Sequence, residues 1–103
     1  IKLRAFDEAN ATVNVTGNNI RNTTNDAIGV GLNQNTKTQV NIANNKIENV
    51  KGSDSYSLNG AAEADGIDVQ LFDSASSGLN ITGNTVNNTT GSGISISDNS
   101  DAA

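Results

Sequence analysis

Three stretches of this chain carry the same pattern: Val13-Asn-Val-Thr-Gly-Asn-Asn-Ile20, Val40-Asn-Ile-Ala-Asn-Asn-Lys-Ile47 and Leu79-Asn-Ile-Thr-Gly-Asn-Thr-Val86. In each stretch two aliphatic residues alternate with polar ones, a bend residue and an asparagine follow, and a further aliphatic residue closes the pattern. Alternation with a period of two is typical of a β-strand that buries one face. Repeats of this kind indicate stacked units, because each unit buries its apolar side only against its neighbours.

A second set of aliphatic residues keeps the same register. Isoleucines recur at intervals of 27, 39 and 27 residues, at Ile1, Ile28, Ile67 and Ile94. The last aliphatic residue of each stretch supplies a third column, at Ile20, Ile47 and Val86. Three short strands that recur in this way fit a coil whose strands pair in parallel with their equivalents in the next coil. We therefore predict an all-β, three-sided parallel β-solenoid of about three to four coils.

The coils differ in length, which sets the expected domain organisation. Residues 1–27 match residues 67–93, so a 27-residue coil and a 39-residue coil form a 66-residue super-repeat. The extra residues of the longer coil fall within 51–65, where we expect a loop inserted at one corner. Residues 1–103 are expected to form a single solenoid segment of a longer repeat array, because the chain starts at Ile1 and contains no methionine.

The bends between strands carry asparagine at fixed places. The residues just before one bend asparagine, Gly17, Asn44 and Gly83, are of the types that tolerate a positive φ. The asparagines that follow them are Asn18, Asn45 and Asn84, and a second set, two residues past the third column, is Asn22, Asn49 and Asn88. Stacked about 4.8 Å apart, such side chains can pass amide hydrogen bonds along the column. We predict two structural asparagine ladders, the second on the same side of its strand as the aliphatic column.

The repeats resemble the right-handed parallel β-helix repeats of the pectate-lyase-like superfamily. The resemblance rests on Val/Ile-x-Ile-x-Gly/Asn-Asn-x-Ile/Val-x-Asn followed by Gly-Ile-x-Val, as in Gly66-Ile67-Asp68-Val69 and Gly93-Ile94-Ser95-Ile96. It covers nearly the whole chain except residues 51–65. It implies right-handed coils and a scaffold shared by polysaccharide lyases and hydrolases, phage tailspikes and the passengers of bacterial surface proteins. Within this superfamily the repeats most resemble the passenger of an adhesin or autotransporter. Because one scaffold hosts many activities, the resemblance is specific for the fold alone.

Charge and composition argue against several classes of partner. The net charge is −5 and the six basic residues are spread along the chain, so no basic stripe is available for the phosphates of nucleic acid. No apolar run approaches the roughly 20 residues that cross a bilayer, and we expect no membrane insertion by this segment. Because the chain has no cysteine, it has neither a disulfide framework nor thiolate ligands for a metal.

The residues that polysaccharide enzymes of the β-helix type use are missing from the expected outward positions. The resemblance implies clustered Asp, often Ca²⁺, and an Arg, Lys or His on the outer strand faces, but this chain has no His. Equivalent outward positions hold Asn14, Asn41 and Asn80 instead of carboxylates for general acid and base chemistry. Arg21 and Glu48 are expected to form a cross-strand charge pair on adjacent coils. We predict no catalytic residues and no enzyme activity.

Acidic residues gather in and beside the expected corner loop. Because loops on rigid scaffolds carry recognition, the residues expected to contact a partner, such as a cell-surface glycan or protein, are Asp54, Tyr56, Glu63 and Asp65. Oxygen ligands suit Ca²⁺, and the candidates for it are Asp65, Asp68 and Asp73. Calcium-loop motifs are absent from the sequence, so the favoured interpretation is a solvated acidic loop with no cofactor and no metal.

These patterns indicate a structural role. Neither end of the expected stack has a recognisable cap, so the expected partners are flanking coils of the same chain or copies of it stacked end to end. We predict a non-catalytic structural or adhesive repeat segment of a secreted or cell-surface bacterial β-helix protein. Two alternatives stay open: a fragment of a polysaccharide-active β-helix lyase or hydrolase that lacks its catalytic coils, and a solenoid unit that self-assembles end to end into a fibre.

Overall fold

The computed structural model of the chain describes residues 1–52 and 64–100, which form ten strands and no helix. The strands are β1 (Lys2–Ala5), β2 (Asn10–Thr16), β3 (Asn19–Thr23), β4 (Ile28–Leu32), β5 (Lys37–Ala43), β6 (Lys46–Val50), β7 (Ile67–Asp73), β8 (Ser76–Thr82), β9 (Thr85–Thr89) and β10 (Ile94–Ser100). Most of the predicted corner loop over residues 51–65 lies outside the described residues, and so do Asp54, Tyr56 and Glu63. The loop and its contacts therefore stay predictions.

The strands belong to three parallel sheets, each of which collects every third strand. The first sheet has the order β1-β4-β7-β10, the second β2-β5-β8 and the third β3-β6-β9. The pairs Ile28↔Ile67, Val40↔Leu79 and Ile47↔Val86 confirm the three aliphatic columns predicted from the sequence. The described chain is thus all-β, with three parallel sheets compatible with a three-sided β-solenoid. We call β1–β3, β4–β6 and β7–β9 the first, second and third levels.

The apolar core lies between the inward faces of the three sheets. Strands of the second level have a neighbour on both sides, so Leu32, Ile42 and Ile47 are fully buried. Burial of each such side chain contributes about 1.5–3 kcal/mol. The outermost strands have a neighbour on one side only, and Ile1 and Ile96 are 52 and 56% exposed. The core is therefore complete at the second level and open at the two ends of the described stack.

One residue in each strand of the third sheet interrupts the alternation of side chains. Asn22, Asn49 and Asn88 have φ angles of 58, 57 and 56°, which lie in the left-handed region. The paired register skips Asn22 and Asn49 and resumes at Thr23 and Val50. Because this irregularity shifts the alternation, Val50 is fully buried whereas Asn22 is exposed. The prediction that these asparagines share one side of the strand with the aliphatic column is wrong.

Candidate functional site

The asparagines at the bend between the second and third sheets form a ladder, which we call the buried ladder because its central member, Asn45, is buried while Asn18 and Asn84 are partly buried. The backbone N–H of Asn18 donates to Oδ1 of Asn45 at 3.0 Å, and the backbone N–H of Asn45 donates to Oδ1 of Asn84 at 3.0 Å. The side-chain amides of Asn18 and Asn45 donate to the same two oxygens at 3.0 and 2.9 Å. Each carboxamide oxygen of the upper two levels thus accepts two hydrogen bonds from the level below.

The side-chain nitrogens of this ladder also serve the backbone. Nδ2 of Asn45 donates to the carbonyl of Val15 at 2.8 Å, and Nδ2 of Asn84 donates to the carbonyl of Ile42 at 2.8 Å. Asn45 is 1% exposed, so its side-chain amide would be costly to leave without a partner. The ladder therefore satisfies the buried polar groups of the bend and fixes the register between levels.

Left-handed residues make the bend that carries this ladder. Gly17, Asn44 and Gly83 have φ angles of 67, 57 and 64°, which confirms the positive φ predicted from their residue types. Glycine adopts this conformation without a steric cost, and asparagine is the next most tolerant residue. The bend therefore recurs with nearly the same backbone at all three levels.

Two further asparagine columns lie on the outside. In the predicted second ladder, Nδ2 donates to Oδ1 of the preceding level at 3.3 and 3.2 Å, along Asn22, Asn49 and Asn88. The outward column of the second sheet forms a ladder that sequence reasoning missed, with distances of 2.8 and 3.0 Å, along Asn14, Asn41 and Asn80. The sequence did contain a signal for this ladder, because asparagine occupies the same outward-facing position on all three strands. Gln39 joins this ladder by donating to Oδ1 of Asn41 at 3.1 Å.

The corner between the first and second sheets carries a column of mixed residue types. Asp7, Gln34 and Asp73 occupy it, with φ angles of 63, 60 and 57°. The backbone N–H of Asp7 donates to Oε1 of Gln34, and the backbone N–H of Gln34 donates to Oδ2 of Asp73 at 3.1 Å. Amide and carboxylate oxygens both accept hydrogen bonds. The column can therefore form although its residues are not identical.

At the corner between the third and first sheets, the acceptors are carboxylates, and the hydrogen bonds run in the opposite direction between levels. The backbone N–H of Asp65 donates to Oδ1 of Asp26 at 2.7 Å, and the backbone N–H of Ser92 donates to Oδ1 of Asp65 at 2.7 Å. Here the acceptor belongs to the lower level and the donor to the upper one. Every corner between sheets therefore has side chains that bond to the backbone of the adjacent level.

The three calcium candidates take part in separate interactions along β7. Asp65 precedes the strand and accepts from Ser92, Asp73 ends the strand and accepts from Gln34, and Oδ2 of Asp68 on the outer face accepts from Nε2 of Gln70 at 3.0 Å. Within residues 1–52 and 64–100, no three His, Cys, Asp or Glu side chains are grouped in a way that suits a metal ion. The described geometry therefore does not bring the three candidates together as one ligand set.

Glu48 forms an ion pair in the structure, but with Lys46 and not with the expected partner Arg21. Arg21 and Glu48 are in register on β3 and β6, as predicted, but the ion pair joins Oε1 of Glu48 to Nζ of Lys46 at 3.2 Å. Lys46 lies two residues earlier on the same strand, and both side chains remain partly exposed. An exposed pair of this kind contributes little to stability.

A shallow polar depression lies over the first halves of β2, β5 and β8. Its walls include Thr12, Lys37, Gln39 and Ser76, and none of the described residues that line it is a carboxylate or a histidine. Oε1 of Gln39 fills the space that a Cβ at Gly78 would occupy. A second depression, at the corner between the first and second sheets, is lined by Asp7, Glu8, Gln34 and Asn35. The described residues of the first depression therefore present hydroxyl, amide and ammonium groups that can form hydrogen bonds with a ligand.

Neither a protein-family model nor a curated protein nor a solved structure matches this chain. Among the residues that the structure describes, no helix has the length and apolar character needed to span a membrane.

Proposed function

We propose that this chain is a non-catalytic, load-transmitting segment of a rod. Its coils are right-handed and of the pectate-lyase-like type, and the rod belongs to a secreted or cell-surface bacterial protein. One observation carries the proposal: the polar side chains at all three corners bond to the backbone or side chains of the adjacent level. Side chains that bond to the adjacent level hold a stack together, which is what a structural rod requires.

The buried ladder supports a rod in particular. Asn45 bonds to the levels on both sides of it, so its arrangement can repeat without limit along the stacking axis. Repeat proteins gain stability from each added interface between neighbours. The same local sequence that builds one level therefore lengthens the rod when it is repeated.

The first level supports continuation of the rod at its outer edge. Ile1 and Phe6 are 52 and 50% exposed there, and the outer edges of β1, β2 and β3 have no strand neighbour in the described residues. Exposed apolar side chains beside unpaired strand edges mark a surface that pairs with another strand. We propose a flanking coil as the partner at this edge, and an adhesive contact with a surface glycan or protein through the corner loop of residues 51–65.

Duplication of the 66-residue unit tests the rod. A chain in which residues 1–66 are followed by residues 1–103 keeps every column in register, because residue 67 is equivalent to residue 1. Two added levels should lengthen the molecule by about 10 Å, twice the spacing of about 4.8 Å between strands, as measured by small-angle X-ray scattering. It should also unfold in one transition at a higher denaturant concentration than the parent chain. Two tethered bodies that unfold independently would contradict the proposal.

A substrate assay tests the non-catalytic part. The chain is incubated with polygalacturonate and with alginate, and unsaturated products and reducing ends are measured. We expect no product above a heat-denatured control. Product formation that is lost in Asp7→Asn and Glu8→Gln variants would instead support the polysaccharide-enzyme alternative, because these two carboxylates line the corner depression.

A further inference from the structure

The longer coil leaves the stack and returns to it at two points that the next level joins directly. The backbone N–H of Thr90 donates to the carbonyl of Val50 at 3.0 Å, and the backbone N–H of Gly91 donates to the carbonyl of Ala64 at 3.0 Å. Thr90 and Gly91 are consecutive in the third level, whereas Val50 and Ala64 are not consecutive in the second. We call residues 52–63, the excess of the 39-residue coil over the 27-residue coil, the insert.

The side chain of Thr90 bonds to the chain on both sides of the insert. Its Oγ1 accepts from the backbone N–H of Ala64 at 3.3 Å and donates to the carbonyl of Gly52 at 3.1 Å. A hydroxyl has one hydrogen to donate and two lone pairs that accept, so it can make both bonds at once. One side chain of the third level therefore connects the start of the insert to the residue that follows it.

Bonds between the levels resume directly after the insert. The backbone N–H of Ala27 donates to the carbonyl of Asp65 at 3.1 Å, and the backbone N–H of Gly66 donates to the carbonyl of Ser92 at 3.0 Å. The backbone N–H of Ser92 also donates to Oδ1 of Asp65 at 2.7 Å. The second level is thus bonded to the levels on both sides of it through residues that lie outside the insert.

We infer that the insert is a separable element of the corner loop, and that Thr90 is the positioning residue that fixes its base. The loop is then held by two successive levels, and the register of the stack is kept by the columns alone. Recognition and stacking therefore belong to different parts of the chain. The inference rests on the proposed function only for the role of the loop as a contact surface.

Hydrogen exchange tests the role of Thr90. Thr90→Val removes the hydroxyl and keeps the shape of the side chain, and the exchange rate of the Ala64 amide is measured by NMR in the folded protein. We expect this rate to rise at least tenfold in Thr90→Val, because the amide loses its acceptor. It should stay near the parent value in Thr90→Ser, which keeps the hydroxyl. The amide of Ile42 in the core reports global unfolding, and its exchange rate should change less than that of Ala64.

Thr24→Val is the matched control for this measurement. Thr24 is exposed at the equivalent corner of the first level, where the backbone N–H of Lys51 donates to the carbonyl of the preceding Thr23 at 3.1 Å. Thr24→Val should leave the exchange of the Ala64 amide unchanged. An unchanged rate in Thr90→Val, a failure of Thr90→Ser to restore it, or an equal rise at Ile42 would overturn the positioning role.

Removal of residues 52–63 tests whether the insert is separable. The shortened chain joins Lys51 directly to Ala64, as Thr90 is joined to Gly91 in the third level. We expect it to unfold in one transition at a urea concentration no lower than that of the parent chain, because a shorter connection costs less entropy to close. A second variant replaces residues 52–63 by a Gly/Ser segment of equal length and should also fold.

Folding of either variant, shown by circular dichroism and a cooperative urea transition, supports separability, and failure of both to fold would overturn it. This outcome is distinct from that of the rod proposal. Duplication of the 66-residue unit keeps the insert in place, so the rod can be disproved while the insert proves separable, and the reverse.

Discussion

The side-chain amide of Asn45 donates a 2.8 Å hydrogen bond to the backbone carbonyl of Val15, which lies 30 residues earlier in the chain. The same carboxamide accepts from the backbone and side chain of Asn18 and donates to Asn84. One buried side chain therefore connects all three levels at the bend between the second and third sheets. We therefore expect the stability of the stack to depend on such residues.

Asn45→Ala should lower the free energy of unfolding by about 3 kcal/mol. The substitution leaves the backbone N–H of Asn18 and the carbonyl of Val15 without their partners, and each buried group left unsatisfied costs about 1–3 kcal/mol. Urea-induced unfolding measures the change. The matched control is Asn49→Gly, which removes a partly exposed ladder amide and tolerates the φ of 57°, and it should cost less than about 1 kcal/mol. Equal costs for the two variants would contradict the special role of the buried ladder.

Gly17→Ala and Gly83→Ala should differ although the two glycines have nearly the same backbone. Both substitutions place a Cβ on a left-handed residue, which costs about 1–2 kcal/mol. No atom of the part of the chain that the structure describes lies within 4 Å of the new Cβ at Gly17, whereas at Gly83 the new Cβ meets Oδ1 of Asn44 on the adjacent level. Gly83→Ala should therefore be the more destabilising variant in thermal unfolding.

A double substitution identifies the cause of that difference. Asn44→Gly removes the obstructing oxygen and keeps a residue that accepts a positive φ. In the Asn44→Gly background, Gly83→Ala should cost about as much as Gly17→Ala does in the parent chain. An unchanged extra cost would show that the contact with Asn44 is not its source.

Thr36→Val should stabilise the protein by about 1 kcal/mol. Thr36 is fully buried and its hydroxyl has no hydrogen-bond partner among residues 1–52 and 64–100, so a methyl group of similar size removes an unsatisfied polar atom. Thr38→Val is the matched control, because Oγ1 of Thr38 donates to Oγ of Ser77 at 3.2 Å. The control should be neutral or destabilising in the same denaturant titration. A loss of stability in Thr36→Val would indicate that the hydroxyl has a partner in solution.

The sequence predicted those features that repeat residue by residue. Ile28 pairs with Ile67 and Asn45 stacks between Asn18 and Asn84 because the aliphatic and asparagine columns keep one register through the unequal coil lengths. A parallel sheet carries equivalent residues side by side, so a column of like residues in the sequence becomes a column in space. The positive φ of Gly17 could be predicted for the same reason.

Features that depend on local backbone or on mixed residue types were not predictable in this way. The column of Asp7, Gln34 and Asp73 contains two residue types, and only the shared left-handed backbone makes their oxygens equivalent. The shift of alternation at Asn49, which buries Val50, also depends on a φ angle that the spacing of residues does not reveal. Glu48 pairs with Lys46 because exposed side chains choose among several near neighbours at little energetic difference.

Disulfide trapping tests the parallel register most directly, because the chain contains no cysteine of its own. Arg21 and Glu48 are register partners on neighbouring strands, and Glu48 is in turn the partner of Asn87. We predict that the double variant Arg21→Cys, Glu48→Cys forms a disulfide on mild oxidation of the folded protein. Arg21→Cys with Asn87→Cys should not, because two strand spacings of about 4.8 Å exceed the roughly 7 Å limit between bridged Cα atoms. Equal disulfide yields in the two double variants, or no disulfide between positions 21 and 48, would contradict the stacked arrangement of the levels.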